Sequence, residues 1–219
     1  MASLRPLYVL GTSGLAKEMA QLVHAVNHVR PQWIFEGFVG DATAERGRDL
    51  GWGPIVGDVD WLLERGEPAD LLVGIGYPVM RARVVERYCL PGSPFEFPNV
   101  IHPRSVVDET RVRFGKGNTV TAGCVFTCDI TIGDFNLFNL NTTVGHDAIV
   151  GNLCVFNPTV NLSGGVQIGD RVLVGTGAQI LEGLTVASDA TVGAGGVVTR
   201  DVAHGITVVG VPARPLIRG

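Results

Sequence analysis

IGDFNLFNLNTTVGHDAIVGNLCVF, residues 132–156, carries an apolar residue at every sixth position: Ile132, Phe138, Val144, Val150 and Phe156. The step continues in both directions. Backwards it meets Phe126, Val120 and Phe114; forwards it meets Leu162, Ile168, Val174, Ile180, Val186, Val192 and Val198. In a chain that is 46% apolar, a fixed frame would give such a run by chance roughly once in 10⁵ trials. The residue after each is often glycine (Gly133, Gly145, Gly151, Gly169), and the residue two before is usually small (Cys124, Thr142, Ala148, Cys154). A period of six fits neither a helix nor a long alternating strand. It fits a short flat strand and a corner, repeated, with three units closing a triangular coil. Equivalent corners then recur every eighteen residues. The step-six residue points inward, and a small or glycine residue is expected to turn each corner.

Composition limits what surrounds this repeat. The chain has 219 residues and a net charge of −4, with 17% of its residues charged. That length suits one large domain or two modest ones, and the charge argues against nucleic acid as a partner. Four cysteines (Cys89, Cys124, Cys128, Cys154) are scattered without a CxxC pair, and are read as free buried thiols of a reducing compartment. The opening MASLRPLYVLG lacks a secretory pattern and no apolar run approaches a membrane span, so a cytoplasmic protein without membrane contact is expected.

The first hundred residues read differently. LYVLGTSGLAKEMAQLVHAVNHV, from Leu7, gives a strand, a glycine-rich turn and a helix whose Met19, Leu22, Val23 and Val26 recur at helical spacing. IFEGFVG up to Asp41 is a second strand; LLVGIG is a third, followed by an arginine-rich helix from Arg81 to Tyr88. This is a small parallel α/β domain. LPGSPFEFPNVIHP holds four prolines and marks the passage between domains, placed at 1–98 and 99–219. The turn GTSG, with Ala16 where a third glycine would fall in GxGxxG, is either a tight strand-to-helix turn or an anion site at a helix N-terminus.

The two parts together resemble the bacterial nucleotide-sugar acetyltransferases of the sialic-acid O-acetyltransferase-like group. The segments that carry the likeness are VLGTSGLAKE, GFVGD, VGIGYPVMRARV, NVIHPRSVV, VGHDAIVG, GGVQIGD and VVGVPAR. The resemblance implies a left-handed parallel β-helix after the α/β domain, a homotrimer, and acetyl-coenzyme A lying along the helix between subunits. It places a nucleotide-linked sugar in the N-terminal domain, against Gly11, Ser13, Gly14, Asp41 and Gly76.

His146 stands two residues after the inward Val144, so it is expected outside, near a corner, as a surface histidine or a general base. An amine that attacks a thioester must lose a proton, and imidazole suits that task near neutrality. Asp147 beside it is expected to fix its tautomer or strengthen it as a base. The resemblance puts the catalytic histidine and its acidic neighbour on His146 and Asp147, with Asn139 as a supporting polar group. Eighteen residues after His146 comes Gly164, expected one coil along, about 4.8 Å away, where its N–H can meet the thioester oxygen. The resemblance adds Thr176 and Ala194 as coenzyme contacts. Arg214 is either a coenzyme-phosphate ligand or part of a C-terminal cap.

The expected reaction is therefore N-acetylation of a nucleotide-linked amino sugar, with O-acetylation of a sialic-acid-type sugar as the alternative. Acetyl transfer to an amino acid gives the N-terminal domain no purpose. A zinc-dependent carbonic anhydrase needs three histidines, and only His146 lies inside the repeat, with His102 and His204 at its ends; no metal is expected.

Overall fold

The computed structural model describes residues 4–41 and 45–216. The chain divides into two compact units, one ending at Pro103 and the other starting at Arg104. The division falls a little later than Pro98, where the proline-rich stretch suggests it.

The first unit runs β1 (Arg5–Leu10), α1 (Gly14–Val29), β2 (Trp33–Gly40), β3 (Ile55–Asp58), α2 (Val59–Arg65), β4 (Ala69–Val73), α3 (Pro78–Tyr88) and β5 (Phe95–Glu96). Its sheet is parallel, in the order β3-β2-β1-β4-β5. Leu7 to Leu10 and all of β4 are buried, as central strands covered on both faces must be. Met19, Leu22, Val23 and Val26 form the buried face of α1, as their spacing predicts. Three elements escape the sequence pattern, β3, α2 and the two-residue β5. Helix α2 has seven residues, too few for a helical period to show. Its signals are local: the Asp58 carboxylate accepts the Trp61 N–H at 3.0 Å and Gly66 ends it at φ 58°. Helix α3 starts at Pro78 rather than Arg81, because proline at a first turn gives up an N–H that has no partner there anyway.

The second unit is a triangular parallel β-helix. Its strands are two or three residues long, and each pairs with the strand eighteen residues on: Leu137 with Val155 and then Leu173, Thr143 with Asn161 and then Gln179, Ile149 with Gln167 and then Thr185. These three series are the three faces. The step-six residues from Val120 to Val198 are buried; Phe114, at the start, is half-buried. Phe114, Phe126, Phe138 and Phe156 stack inside with centroids 5.4, 5.0 and 4.8 Å apart.

The corners differ from expectation. The left-handed residue stands three after each inward residue, at Asp129, Phe135, Asn141, Asp147, Leu153 and Thr159, with φ between 57 and 60°. The small residues that follow, such as Ala148 and Cys154, are buried and fill the apex instead. The glycines directly after the inward residues do another job. A Cβ on Gly151 would lie 2.8 Å from the Gly169 carbonyl carbon, so they let successive coils touch. The last coil is shorter, since Val186 bridges Val202 and Thr191 pairs with Thr207. The chain then turns back through a cis Val211–Pro212 peptide, and Arg214–Pro215 pairs antiparallel with Val209 and Val208.

Contrary to the expectation from their residue type, the thiols are not all buried. Cys124 and Cys154 are buried, but Cys89 and Cys128 are exposed. Among the described residues, no helix is long and apolar enough to cross a membrane.

Candidate functional site

In the first unit, the loops after β1, β2 and β4 leave the same edge of the sheet, at the strands' carboxyl ends. The strand order reverses between β1 and β4, and ligands of open α/β sheets bind in the crevice at such a point. Gly11, Ser13 and Gly14 make the β1–α1 turn, Gly76 lies in the β4–α3 turn, and Asp41 follows β2, so the five predicted substrate residues share one edge. Gly11 needs to be glycine. Its φ is 116°, and a Cβ would sit 3.1 Å from the Gly74 carbonyl oxygen. A Cβ on Gly74 would lie 2.9 Å from the Ala16 Cα. The close helix–strand approach is thus kept by Gly74, and Ala16 can replace the third glycine of the fingerprint.

Ser13 is the N-cap of α1, yet its side chain makes no capping bond, and the helix has no acid in its first turn. Gly14 is exposed, and a Cβ there would meet nothing within 4 Å. A hydroxyl and a helix N-terminus therefore face open space, a setting that favours an anion such as a diphosphate. Asp41 is exposed at the carboxyl end of β2, the strand paired with β1. One residue the sequence reading used only to start a helix stands out here. Arg81 is fully buried and donates from Nη1 to the carbonyls of Val73 and Ile75, at 3.0 and 3.1 Å. Burial lowers its pKa to about 9. Its arginine-rich neighbourhood hid it, because a charged residue on a helix usually faces water.

In the second unit, His146 and Asp147 occupy the corner after the strand Thr143–Val144. Asp147 is the left-handed residue of that corner, at φ 57°, and its Oδ2 lies 2.8 Å from His146 Nδ1. A neutral ring with its proton on Nδ1 donates to that carboxylate and leaves Nε2 as the base. Both side chains are over half exposed. Gly164 lies one coil along, and a Cβ on it would be 2.5 Å from His146 Cε1 and Nε2. The imidazole therefore lies flat over the Gly164 backbone, in space only glycine leaves. The stack is closed by the Gly165 N–H, which donates to the His146 carbonyl at 2.7 Å.

The remaining predicted residues are elsewhere. Asn139 lies at the preceding corner, nearly buried, and its Oδ1 accepts the Leu140 N–H at 2.8 Å. Thr176 and Ala194 stack on that same corner, with the Gly195 N–H donating to the Thr176 carbonyl at 2.8 Å; both are exposed. Arg214 belongs to the returning strand, exposed, and donates to the Ala213 carbonyl at 2.8 Å. Within one chain, His146 with Gly164 and Asn139 with Thr176 and Ala194 thus occupy two different corners. Among the described residues, no three His, Cys, Asp or Glu side chains gather as a metal ion requires.

A triangular left-handed β-helix with a histidine seated over a corner glycine defines a hexapeptide-repeat acyltransferase. The chain is similar to the perosamine N-acetyltransferase from Caulobacter crescentus solved in complex with CoA and GDP-perosamine. The TM-score is 0.87 at 32% identity, over 99% of each chain. It is equally similar to the acetyltransferase domain of PglB from Neisseria gonorrhoeae FA1090 solved with acetyl coenzyme A, with a TM-score of 0.87 at 32% identity, over 98% of this chain and 100% of that one. A GDP-perosamine N-acetyltransferase from Escherichia coli O157:H7 is 36% identical over 153 residues, 67% of each protein. The chain belongs to the hexapeptide-repeat acyltransferase family, in its nucleotide-sugar acetyltransferase group. It spans only 33 to 44% of the length of the first curated relatives it matches, a serine acetyltransferase among them. No family model matches the chain.

Proposed function

We propose that this protein transfers the acetyl group of acetyl-coenzyme A to the amine of a nucleotide-linked amino sugar, with His146 as general base. The seat of His146 carries the reading: its Nδ1 is held by Asp147 at 2.8 Å and its ring rests on Gly164. The amine nitrogen attacks the thioester carbonyl, forming a C–N bond as its proton passes to Nε2. The tetrahedral intermediate then expels the thiolate, breaking C–S, and the imidazolium returns the proton to sulfur. Gly164, on the histidine's corner, is the backbone partner of the thioester oxygen.

The α1 N-terminus with Gly11, Ser13 and Gly14, together with Gly76 and Asp41, receives the diphosphate and nucleoside. Thr176, Ala194 and Arg214 contact the coenzyme, and Asn139 supports the reacting groups. Because these residues and His146 lie on different corners, one chain does not complete the site. A homotrimer that sets the corner of one copy against the next corner of its neighbour does. The N-acetyltransferases among the relatives support an amine acceptor over a sugar hydroxyl. A screen for coenzyme A release with GDP-perosamine, UDP-linked amino sugars and sialic acid tests this. Release is expected only with an amino-sugar nucleotide, and turnover confined to the hydroxyl acceptor contradicts it.

A further inference from the structure

Arg81 has no exposed surface, and its guanidinium bonds to the backbone just before Gly76, in the β4–α3 turn. It ties down two peptide planes of that turn through the Val73 and Ile75 carbonyls, at 3.0 and 3.1 Å. In a trans peptide the N–H points away from the carbonyl of the same plane. The Val73 plane shows the effect: its carbonyl is turned to Arg81, and the Gly74 N–H on the other side donates to Leu10 of β1 at 2.9 Å. The Ile75 plane follows the same rule. Its carbonyl is drawn to Arg81, so the Gly76 N–H points away from the buried guanidinium, beside the exposed Tyr77. A Cβ on Gly76 would come within 3.2 Å of the Leu15 side chain, so this turn packs closely against the first turn of α1, next to Ser13 and Gly14 in the chain.

We infer that Arg81 is a positioning residue for the nucleotide-sugar site, setting the Gly76 N–H as a second, preorganised donor to the diphosphate opposite the α1 N-terminus. This rests on the nucleotide-sugar reading above. A planar guanidinium is suited to the task because it offers donors in a fixed fork, whereas a lysine is a flexible point charge. A buried cation is costly where an apolar residue of similar volume would serve for stability alone. Its presence under this turn is accounted for by the geometry it imposes.

The test compares wild type, Arg81→Met and Arg81→Lys, with whichever of GDP-perosamine or a UDP-linked amino sugar the wild type acetylates. In Arg81→Met the Michaelis constant for the nucleotide sugar should rise at least about tenfold, the usual scale of one lost hydrogen bond to a charged group. That for acetyl-coenzyme A should change less than about twofold, and Arg81→Lys should recover part of the loss. A folded Arg81→Met with the wild-type nucleotide-sugar constant, or with equal losses for both substrates, overturns the inference. A second measurement needs no variant: the Gly76 amide of wild type, followed by NMR, should shift and gain exchange protection on saturation with the nucleotide sugar. A Gly76 amide that does not respond while the sugar binds refutes this inference alone. Absence of binding by any nucleotide-linked amino sugar refutes the site reading and this inference with it.

Discussion

Gly164 joins local backbone geometry to the proposed reaction, because its missing Cβ leaves the space the His146 ring occupies. An alanine there brings a methyl within 2.5 Å of the imidazole, and the ring has to leave its seat. Displacing a catalytic group by about 1 Å can cost about 10²-fold, so Gly164→Ala is expected to lower kcat at least about tenfold while thermal unfolding stays near wild type. A fully active Gly164→Ala would show that this seat is not the working one. The thiols allow a simpler check. Burial pushes Cys124 up to about 11 and Cys154 up to about 12, while Cys89 and Cys128 are exposed. A thiol-reactive disulfide reagent should label two cysteines in the native protein and four after denaturation; four in the native protein contradicts this. At this scale His146 was legible because its distance from the inward Val144 places it outside the coil. The exposure of Cys128 follows from the same register, two residues after the inward Phe126, and overrides cysteine's general preference for burial.

The coils are joined by more than the inward apolar residues. Asn136 is fully buried: its Nδ2 donates to the Gly151 carbonyl at 2.9 Å and its Oδ1 accepts the Cys154 N–H at 2.8 Å. Asn136→Ala strands both backbone groups, each worth about 1–3 kcal/mol when left unpaired. Denaturant unfolding should therefore show a loss of at least about 2 kcal/mol, and a loss under half that figure contradicts the assignment. On the outside, Arg171 holds Asp189 of the next coil through two bonds of 2.7 Å, and this bonding lowers the Asp189 carboxyl below its usual range. A depressed carboxyl stabilises the fold above its unfolded pKa, and the gain is lost as pH falls through the lower folded value. Asp189→Asn should cost no more than about 1 kcal/mol at neutral pH, since the pair is part-exposed, and nothing in strong acid. A difference that persists there argues against the pair. The repeat was legible because one apolar residue in six is a strong periodic signal. The left-handed corner position was not, because Asp129, Phe135, Leu153 and Thr159 share no residue type that announces positive φ. Helix α2 was missed for lack of length, and only Asp58 and Gly66 marked its ends.

At the scale of the molecule, the corner split is the argument for assembly. Leu140 and Leu181 lie on the two corners concerned and are 41 and 45% exposed, apolar surface that packing between copies would cover. Light scattering at micromolar concentration should give about three times 23.2 kDa; a monomer would contradict both the assembly and a site shared between copies. The two-unit plan was visible in the change from helical to six-residue period. The proposed pairing of one corner with another comes from the resemblance and the corner split alone, since a relation between chains leaves no period within one. The most direct test of the whole account is steady-state acetyl transfer by wild type and His146→Ala on the amino-sugar nucleotide, with the product's new amide identified by mass spectrometry. The account predicts a kcat lower by about 10²- to 10⁴-fold in the variant, the worth of a general base, with both Michaelis constants changed far less. Full turnover by His146→Ala would contradict it.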